Sequence, residues 1–350
     1  MLAKRVDELP EGDDWIFEPK WDGFRALVFR DGPDVLIQSR DAKPLGRYYP
    51  ELVGPLREQL PKQCVLDGEI VIVRGDALDF DALQMRLHPA ASRVEKLSRE
   101  IPASMVFFDV LCLGKRDLRS VRFERRRAAL ERSLARLESP LHVTPATRNR
   151  RVAMDWFRRF EGAGLDGVIA KQASGVYEPD KRVMLKIKHE RDCDCVVGGF
   201  RWHKESAKDV VGSLLLGLYD EKGDLQHVGV CANFPMRQRR ELVGLLAPYR
   251  TTLSRHPWKD WADAESSEKT HVHRRPGAQS RWSRGKDLAW EPLRPKLVLE
   301  VAYDHMQGTR FRHTAQFRRW RRDKPPRQCT FERLEVVPPL ELARIFRTGR

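Results

Sequence analysis

The 350-residue chain has no run of about eighteen apolar residues, the length a helix needs to cross a bilayer, so no membrane span is expected. Its first residues, Met1-Leu2-Ala3-Lys4-Arg5, lack the apolar stretch of a secretion signal. Cysteine is scarce. The six residues Cys64, Cys112, Cys193, Cys195, Cys231 and Cys329 form no Cys-x-x-Cys pair, and no His-Glu-x-x-His occurs. Zinc-site spacing is therefore missing, and reduced, mostly buried thiols in a cytoplasmic protein are expected. No internal repeat is visible. Acid is in deficit, with 50 Asp and Glu against 65 Lys and Arg, a net charge of +15. The basic excess runs through most segments rather than one tail. Such a field attracts polyanions and releases counterions on meeting nucleic acid; the alternative on charge alone is a merely basic or ribosome-associated protein.

The length suits two domains, or one large one. Strand patterns cover Phe24 to Phe29, Val35 to Ile37, Val65 to Val73, Met105 to Leu111, Leu165 to Lys171 and Val183 to Lys188. Helices are predicted for Tyr49 to Leu60, Phe80 to Leu87, Val152 to Glu161 and, longest, Val121 to Leu137 with Ser120 as N-cap. In the last, Leu130, Leu134 and Leu137 share a core face and the arginines face solvent. After Glu190 short strands dominate (Val196 to Arg201, Leu214 to Tyr219, Gln226 to Cys231, Leu297 to Ala302) around one helix, Met236 to Tyr249. That suits a small barrel such as the OB fold. Ser254 to Asp287, polar but holding Trp258, Trp261 and Trp282, reads as a long loop with some helix. The predicted domains are 1–189 and 190–350.

The most informative stretch is Glu18-Pro19-Lys20-Trp21-Asp22-Gly23-Phe24-Arg25. Pro19 stiffens the backbone before Lys20, and Asp22-Gly23 permits a sharp turn, with glycine supplying any positive φ. The ammonium is thereby held in one place. Elsewhere charges sit at strand ends, at Glu69, Asp166, Lys171, Lys186 and Lys188, where core packing does not explain them. A buried strand end carrying charge needs a partner or ligand. If the ends converge, the cleft holds two carboxylates and several cations, suited to a nucleoside triphosphate with a hard metal ion.

The series Glu18-Pro19-Lys20-Trp21-Asp22-Gly23, Ser39-Arg40, Asp67-Gly68-Glu69, Phe108-Asp109, Asp166-Gly167-Val168-Ile169-Ala170-Lys171, Lys186-Ile187-Lys188 and Arg321-Arg322-Asp323-Lys324 resembles motifs I, Ia, III, IIIa, IV, V and VI of the ATP-dependent DNA ligases. The short bacterial C-type ligases and the ligase domain of the D-type end-joining enzymes are the nearest in pattern. The resemblance implies an α+β fold, an antiparallel-sheet nucleotidyltransferase domain followed by an OB-fold β-barrel domain. It implies ATP, with Mg²⁺ or Mn²⁺, and nicked duplex DNA as substrate in repair or end joining. Messenger RNA capping enzymes and RNA ligases share the lysine chemistry, but Trp21, Phe24 and Arg25 look more like a DNA ligase.

On this resemblance Lys20 is the nucleophile that takes AMP. Glu18 meets the adenine amino group, Phe108 stacks on the base, and Arg25 and Arg40 meet ribose and phosphate. Glu69 faces ribose or metal. Asp166 stands where a metal-binding glutamate is usual, one methylene shorter. Lys186 and Lys188 hold the α-phosphate, and with metal ions they lower the Lys20 pKa from about 10.4 by like-charge repulsion. Arg321, Asp323 and Lys324 orient pyrophosphate in the first step. Arg312, Arg318 and Arg319 are candidates for duplex phosphates. The resemblance further implies a cytoplasmic, nucleoid-associated monomer. It grips DNA through two domains alone or with partners, Ku or other repair proteins among them.

Overall fold

The computed structural model describes residues 1–334 apart from residues 76, 205, 260–288 and 305. The chain divides into two units, with the break between Lys188 and His189. In chain order the first unit runs β1 (Ala3–Arg5), β2 (Trp15–Pro19), β3 (Phe24–Asp31), β4 (Asp34–Ser39), α1 (Pro50–Gln59), β5 (Gln63–Arg74), β6 (Ala77–Leu78), α2 (Phe80–Met85), α3 (Ala91–Glu100), β7 (Ala103–Leu113), β8 (Arg116–Asp117), α4 (Phe123–Ser133), β9 (Leu141–Val143), α5 (Arg150–Arg159), β10 (Val168–Gln172) and β11 (Met184–Ile187). These strands make two sheets. The larger has the order β4-β3-β5-β7-β8, with β6 on β5 and β9 on β7; the smaller has the order β1-β11-β10-β2. Pairing is antiparallel except for β1 with β11 and β7 with β9.

Alternation along the central strands decides what each sheet face meets. In β3, Ala26 and Val28 are fully buried on one face while Arg25, Leu27 and Phe29 take the other. In β5, Leu66, Ile70 and Ile72 join Leu52 and Leu56 of α1 and Leu130 of α4 in one core. The opposite face of the same strand carries Asp67, Glu69 and Val71. Val71 packs, with Val106 of β7, against Phe17, Val168, Ala170 and Ile187 of the smaller sheet. Helices therefore cover one face of the large sheet and the small sheet covers part of the other. Asp67 and Glu69 lie on this second face, Asp67 fully buried and Glu69 half-buried.

The sequence predicts α4 over residues 121–137 with a Ser120 cap and exposed arginines; all three points are corrected. The helix spans Phe123–Ser133, and Arg122 precedes it with no side-chain cap. Leu130 and Leu134 are core residues as expected, but Arg126 and Arg127 are buried too. Periodicity classes arginine as polar, whereas a guanidinium can be buried wherever carboxylates meet it. Here those carboxylates come from Asp109 and Glu18, distant in sequence. The short β1, the two-residue β8 and helix α3 carry too few periodic apolar residues to stand out in advance.

The second unit runs β12 (Arg191–Trp202), β13 (Val211–Tyr219), β14 (Leu225–Cys231), α6 (Met236–Leu246), β15 (Glu291–Pro292), β16 (Val298–Tyr303), β17 (Met306–Gln307), β18 (Arg310–Phe311) and β19 (Gln316–Trp320). The antiparallel order is β14-β13-β12-β16-β19, with β15 on β12. Register shifts in β12, β13 and β16 mark where strands bend. Isolated parallel bridges, Tyr219 to Thr330 and Cys231 to Ala315, tie the sheet's far strands to the segments that follow β18. The result is a curled sheet around Val196, Leu214, Leu216, Val228 and Val301, the OB-type barrel that the strand count predicts. The whole is α+β. Trp258, read as part of a loop, is instead a core residue, fully buried with its indole N–H donating to the Leu225 carbonyl at 2.6 Å. Most of the remaining predicted loop, with Trp261 and Trp282, lies outside the described residues. All six cysteines are free thiols, four of them buried.

Candidate active site

Two turns meet at the open end of the smaller sheet. The Lys20 backbone N–H donates to Gly167 O at 2.9 Å, and the Asp166 N–H donates to Lys20 O at 2.9 Å. This reciprocal pair clasps the turn after β2 to the turn before β10. Gly167 has φ +124°, and a Cβ there would lie 2.0 Å from the Ile187 carbonyl oxygen. Gly23 also has no room for a side chain, but not for the predicted reason. Its φ is not in the left-handed region; a Cβ would come within 2.1 Å of Ile70 O in β5. The glycine lets the turn lie against the large sheet. Trp21 anchors it from inside, donating its indole N–H to Thr144 Oγ1 at 2.8 Å.

Lys20 and Asp166 are ion-paired at 2.7 Å, and the same Asp166 oxygen takes Lys188 at 2.9 Å. Burial pushes the Lys20 pKa down, but the charge and hydrogen bond of Asp166, with Glu69 and Asp22 beyond, outweigh it and leave it raised. By themselves, the two lysines expected, together with metal ions, to depress it are outweighed: the nearest charge is a carboxylate. Asp166 responds in kind. Burial raises its pKa, yet the two ammoniums bring it below the ordinary carboxylate value. Lys186 titrates low, first from burial and then from its neighbours Lys20 and Lys188.

Glu69 is pushed up to about 8 by burial, with Lys20 and Arg25 opposing. An unfolded chain would release this proton near 4.5, so between 4.5 and about 8 the native state holds more protons. Unfolding free energy must then fall as pH rises through that window and level off above it. Glu69→Gln, which cannot ionise, removes this decline. In urea titrations from about pH 5 to 9, the stability difference between variant and native protein grows with pH; a difference that stays constant would refute the assignment.

Arg25 meets its cross-strand neighbour's neighbour. Its Nε and Nη2 donate to Asp67 Oδ1 and Oδ2 at 3.0 and 2.6 Å, and Tyr177 OH donates to Oδ2 at 2.9 Å. The guanidinium lies 5.7 Å from the centre of the Phe108 ring. A cavity of about 470 Å³ lies beside it, lined by Arg25, Arg40, Leu27, Val65, Leu111 and Tyr177. Arg40, exposed and 3.7 Å from Asp41, lines the same cavity. Glu18 is buried, its two oxygens taken by Arg127 at 3.0 Å and Lys171 at 2.8 Å. Sequence reasoning missed Asp67, Tyr177 and Arg127 as neighbours of the cleft. The available signal for Asp67 was its place in an apolar strand next to Glu69.

The remaining predicted residues belong to the second unit, where Arg318, Arg319, Arg321 and Lys324 are held by that unit's own carboxylates. Asp194 of β12 takes Arg321 at 3.1 Å and Lys324 at 2.6 Å, and Arg321 also pairs with Asp323 at 2.8 Å. Arg319 pairs with Glu300 at 2.8 Å and Arg318 with Glu190 at 2.8 Å. Arg312 follows β18 and is half-buried. Among the described residues no cluster of three or more His, Cys, Asp or Glu is arranged to hold a metal ion.

An amine fixed on a stiff double turn, with two more lysines and two carboxylates around it, is the layout of a phosphate site that contains its own nucleophile. A nucleotidyltransferase that becomes covalently charged requires this. Residues 1–188 match the ATP dependent DNA ligase domain and residues 207–324 the ATP dependent DNA ligase C terminal region. DNA ligase C2 of Mycolicibacterium smegmatis is 53% identical over 338 residues, 97% of this chain and 94% of the relative. DNA ligase C of Mycobacterium tuberculosis is 52% identical over 339 residues, 96% and 93% of the two chains. A solved structure from a study of Lig E DNA ligases shares the fold at 14% identity, with a TM-score of 0.53 over 92% of this chain and all of the other. The chain belongs to the ATP-dependent DNA ligases.

Proposed function

We propose that this ligase seals nicks in duplex DNA, in repair or end joining, by way of an AMP group carried on Lys20. The observation that supports it most is the clasp of Lys20 against Asp166, an amine and a carboxylate 2.7 Å apart on turns that hold each other. In the first step a Lys20–phosphorus bond forms as the bond between the α-phosphorus and its bridging oxygen breaks, and pyrophosphate leaves. The AMP passes to the 5′-phosphate at the nick, and the 3′-hydroxyl then displaces it. Before the first step Lys20 must shed its proton and leave Asp166, since an ammonium has no lone pair. Lys186 and Lys188 neutralise charge that builds on the α-phosphate. Arg25, aimed by Asp67 and Tyr177, and Arg40 across the shared cavity face ribose and the nick phosphate.

Mg²⁺ or Mn²⁺ fits the donors present. Asp166 and Glu69 offer hard oxygens, and Mg²⁺ commonly binds one or two carboxylates together with substrate phosphates rather than a full protein cage. When bound at Asp166, such an ion would supply positive charge beside the amine and the phosphate. Arg321, Asp323 and Lys324 serve the pyrophosphate, Arg312, Arg318 and Arg319 the duplex, and Ku or another repair protein is the partner this reading adds to a monomer.

Incubation with ATP or GTP labelled at the α-phosphate tests the reading. Covalent label from ATP alone is expected, with loss of label on chelation of divalent ions and sealing of a nicked DNA duplex in preference to one with RNA at the nick. Label from GTP, or none, would sink it.

A further inference from the structure

Lys171 closes β10 and has no part in the steps above, yet it is among the most engaged polar groups in the first unit. Its side chain is 4% exposed. The ammonium lies 2.8 Å from Glu18 Oε2 and donates to the Phe108 carbonyl at 3.1 Å. It also sits 4.7 Å from the centre of the Phe108 ring and 4.6 Å from that of Phe123. Glu18 is on β2 and Phe108 on β7, in different sheets, so one point charge ties the two sheets together at these two residues. The second oxygen of Glu18 takes Arg127 Nη1 at 3.0 Å, and Arg127 is held in turn by Glu131 at 2.7 Å and by the Thr144 carbonyl.

We propose that Lys171 is the positioning residue for purine recognition, setting the Glu18 carboxylate and the Phe108 ring in one geometry and, with Arg127, fixing where the two Glu18 oxygens point. This rests on the reading that Glu18 and Phe108 meet the base. An ionised carboxylate only accepts hydrogen bonds. It has about four lone-pair directions, and the two cations leave some for a ligand. Adenine offers an amino group at the position where guanine offers a carbonyl oxygen. An acceptor locked in place therefore binds adenine and repels guanine, and choice against guanine is sharp because a buried acceptor facing an acceptor leaves both unsatisfied. Lysine suits this role better than arginine. A compact ammonium meets a carboxylate, a carbonyl and an aromatic ring at once, which a planar fork does less well.

Lys171→Met, which keeps the length and removes the charge, is measured for self-adenylylation with α-labelled ATP and GTP over a range of nucleotide concentrations. The expected result is an apparent ATP affinity weaker by about tenfold or more, from the loss of a charge-assisted anchor, with the maximal rate nearly unchanged and the preference for ATP over GTP reduced. Lys171→Arg recovers part of the affinity. Should Lys171→Met not fold, Lys171→Gln carries the same test, since its amide keeps two donors without the charge. Glu18→Gln separates the two layers of the argument. If it narrows the ATP preference while Lys171→Met and Lys171→Gln bind ATP like the native protein, the role of Lys171 is overturned and the base reading stands. If Glu18→Gln leaves the preference intact, the base reading itself falls. A drop in maximal rate at unchanged affinity in the Lys171 variants also overturns the inference.

Discussion

Lys20→Ala should fall to background in covalent labelling from ATP while keeping its fold. The side chain is about one-fifth exposed and, among the described residues, ion-pairs with Asp166, which also has Lys188, so little packing is lost. No neighbour can replace it. Lys186 and Lys188 sit on and just beyond β11, whereas the stiff clasped turn presents Lys20 alone. The same variant should still join a nick whose 5′-phosphate already carries AMP, because that step needs the 3′-hydroxyl and the phosphate-binding cations but no lysine nucleophile. Loss of joining on such a substrate would mean that Lys20→Ala damages the cleft as a whole. In the native protein, labelling should rise with pH across the neutral and mildly alkaline range. A lysine near its ordinary pKa of about 10.4 is already neutral less than about one part in a thousand at pH 7, and Asp166 moves it further from neutrality. A labelling rate that is flat from about pH 6 to 9 would argue that another group, or another step, limits the reaction.

Arg126→Leu should be the most damaging single change to stability outside the hydrophobic core. Arg126 Nε and Nη2 grip Asp109 Oδ1 and Oδ2 at 2.8 and 3.0 Å, and both side chains are essentially inaccessible to water. Arg126 also donates to the Val121 and Gly175 carbonyls, at 2.6 and 3.3 Å, which joins the start of α4 to the loop after β10. Removing one partner strands a buried carboxylate, for which a loss of about 3–5 kcal/mol is expected. Chemical denaturation of the two single variants and of Asp109→Asn/Arg126→Leu gives the check. The double variant should recover part of the loss, since it leaves no bare charge. Strict additivity would show that the two side chains are not coupled. Asp109 follows Phe108 directly, so the pair also steadies the strand that offers the proposed stacking ring.

Much of the site is legible in the chain itself. Lys20 between Pro19 and Asp22-Gly23, Asp67-Gly68-Glu69 inside an apolar strand, and Lys186-Ile187-Lys188 each break a pattern that packing alone would have kept. The glycines are legible as glycines but not for their reasons. Gly23 was expected to bend the chain and instead yields room to a carbonyl of β5, which lies nearly fifty residues away. The arginines of α4 were misread for a related reason: periodicity sees one helix and cannot see the carboxylate that waits across a sheet.

What the sequence by itself determined is the inventory and the strand faces: an amine on a stiff turn, carboxylates and lysines at strand ends, a basic field, and a second half suited to a barrel. These follow from local sterics and from the period of two along a strand, which need no knowledge of what lies opposite. Only the tertiary structure decided the pairings. It set Asp166 against Lys20, reversing the direction of the pKa argument, and gave Arg25 to Asp67 rather than to Glu69. It also closed Lys171 and Arg127 around Glu18. Partners of this kind are chosen by register and by which sheet covers which, and electrostatic energy depends on distances that no spacing along the chain encodes.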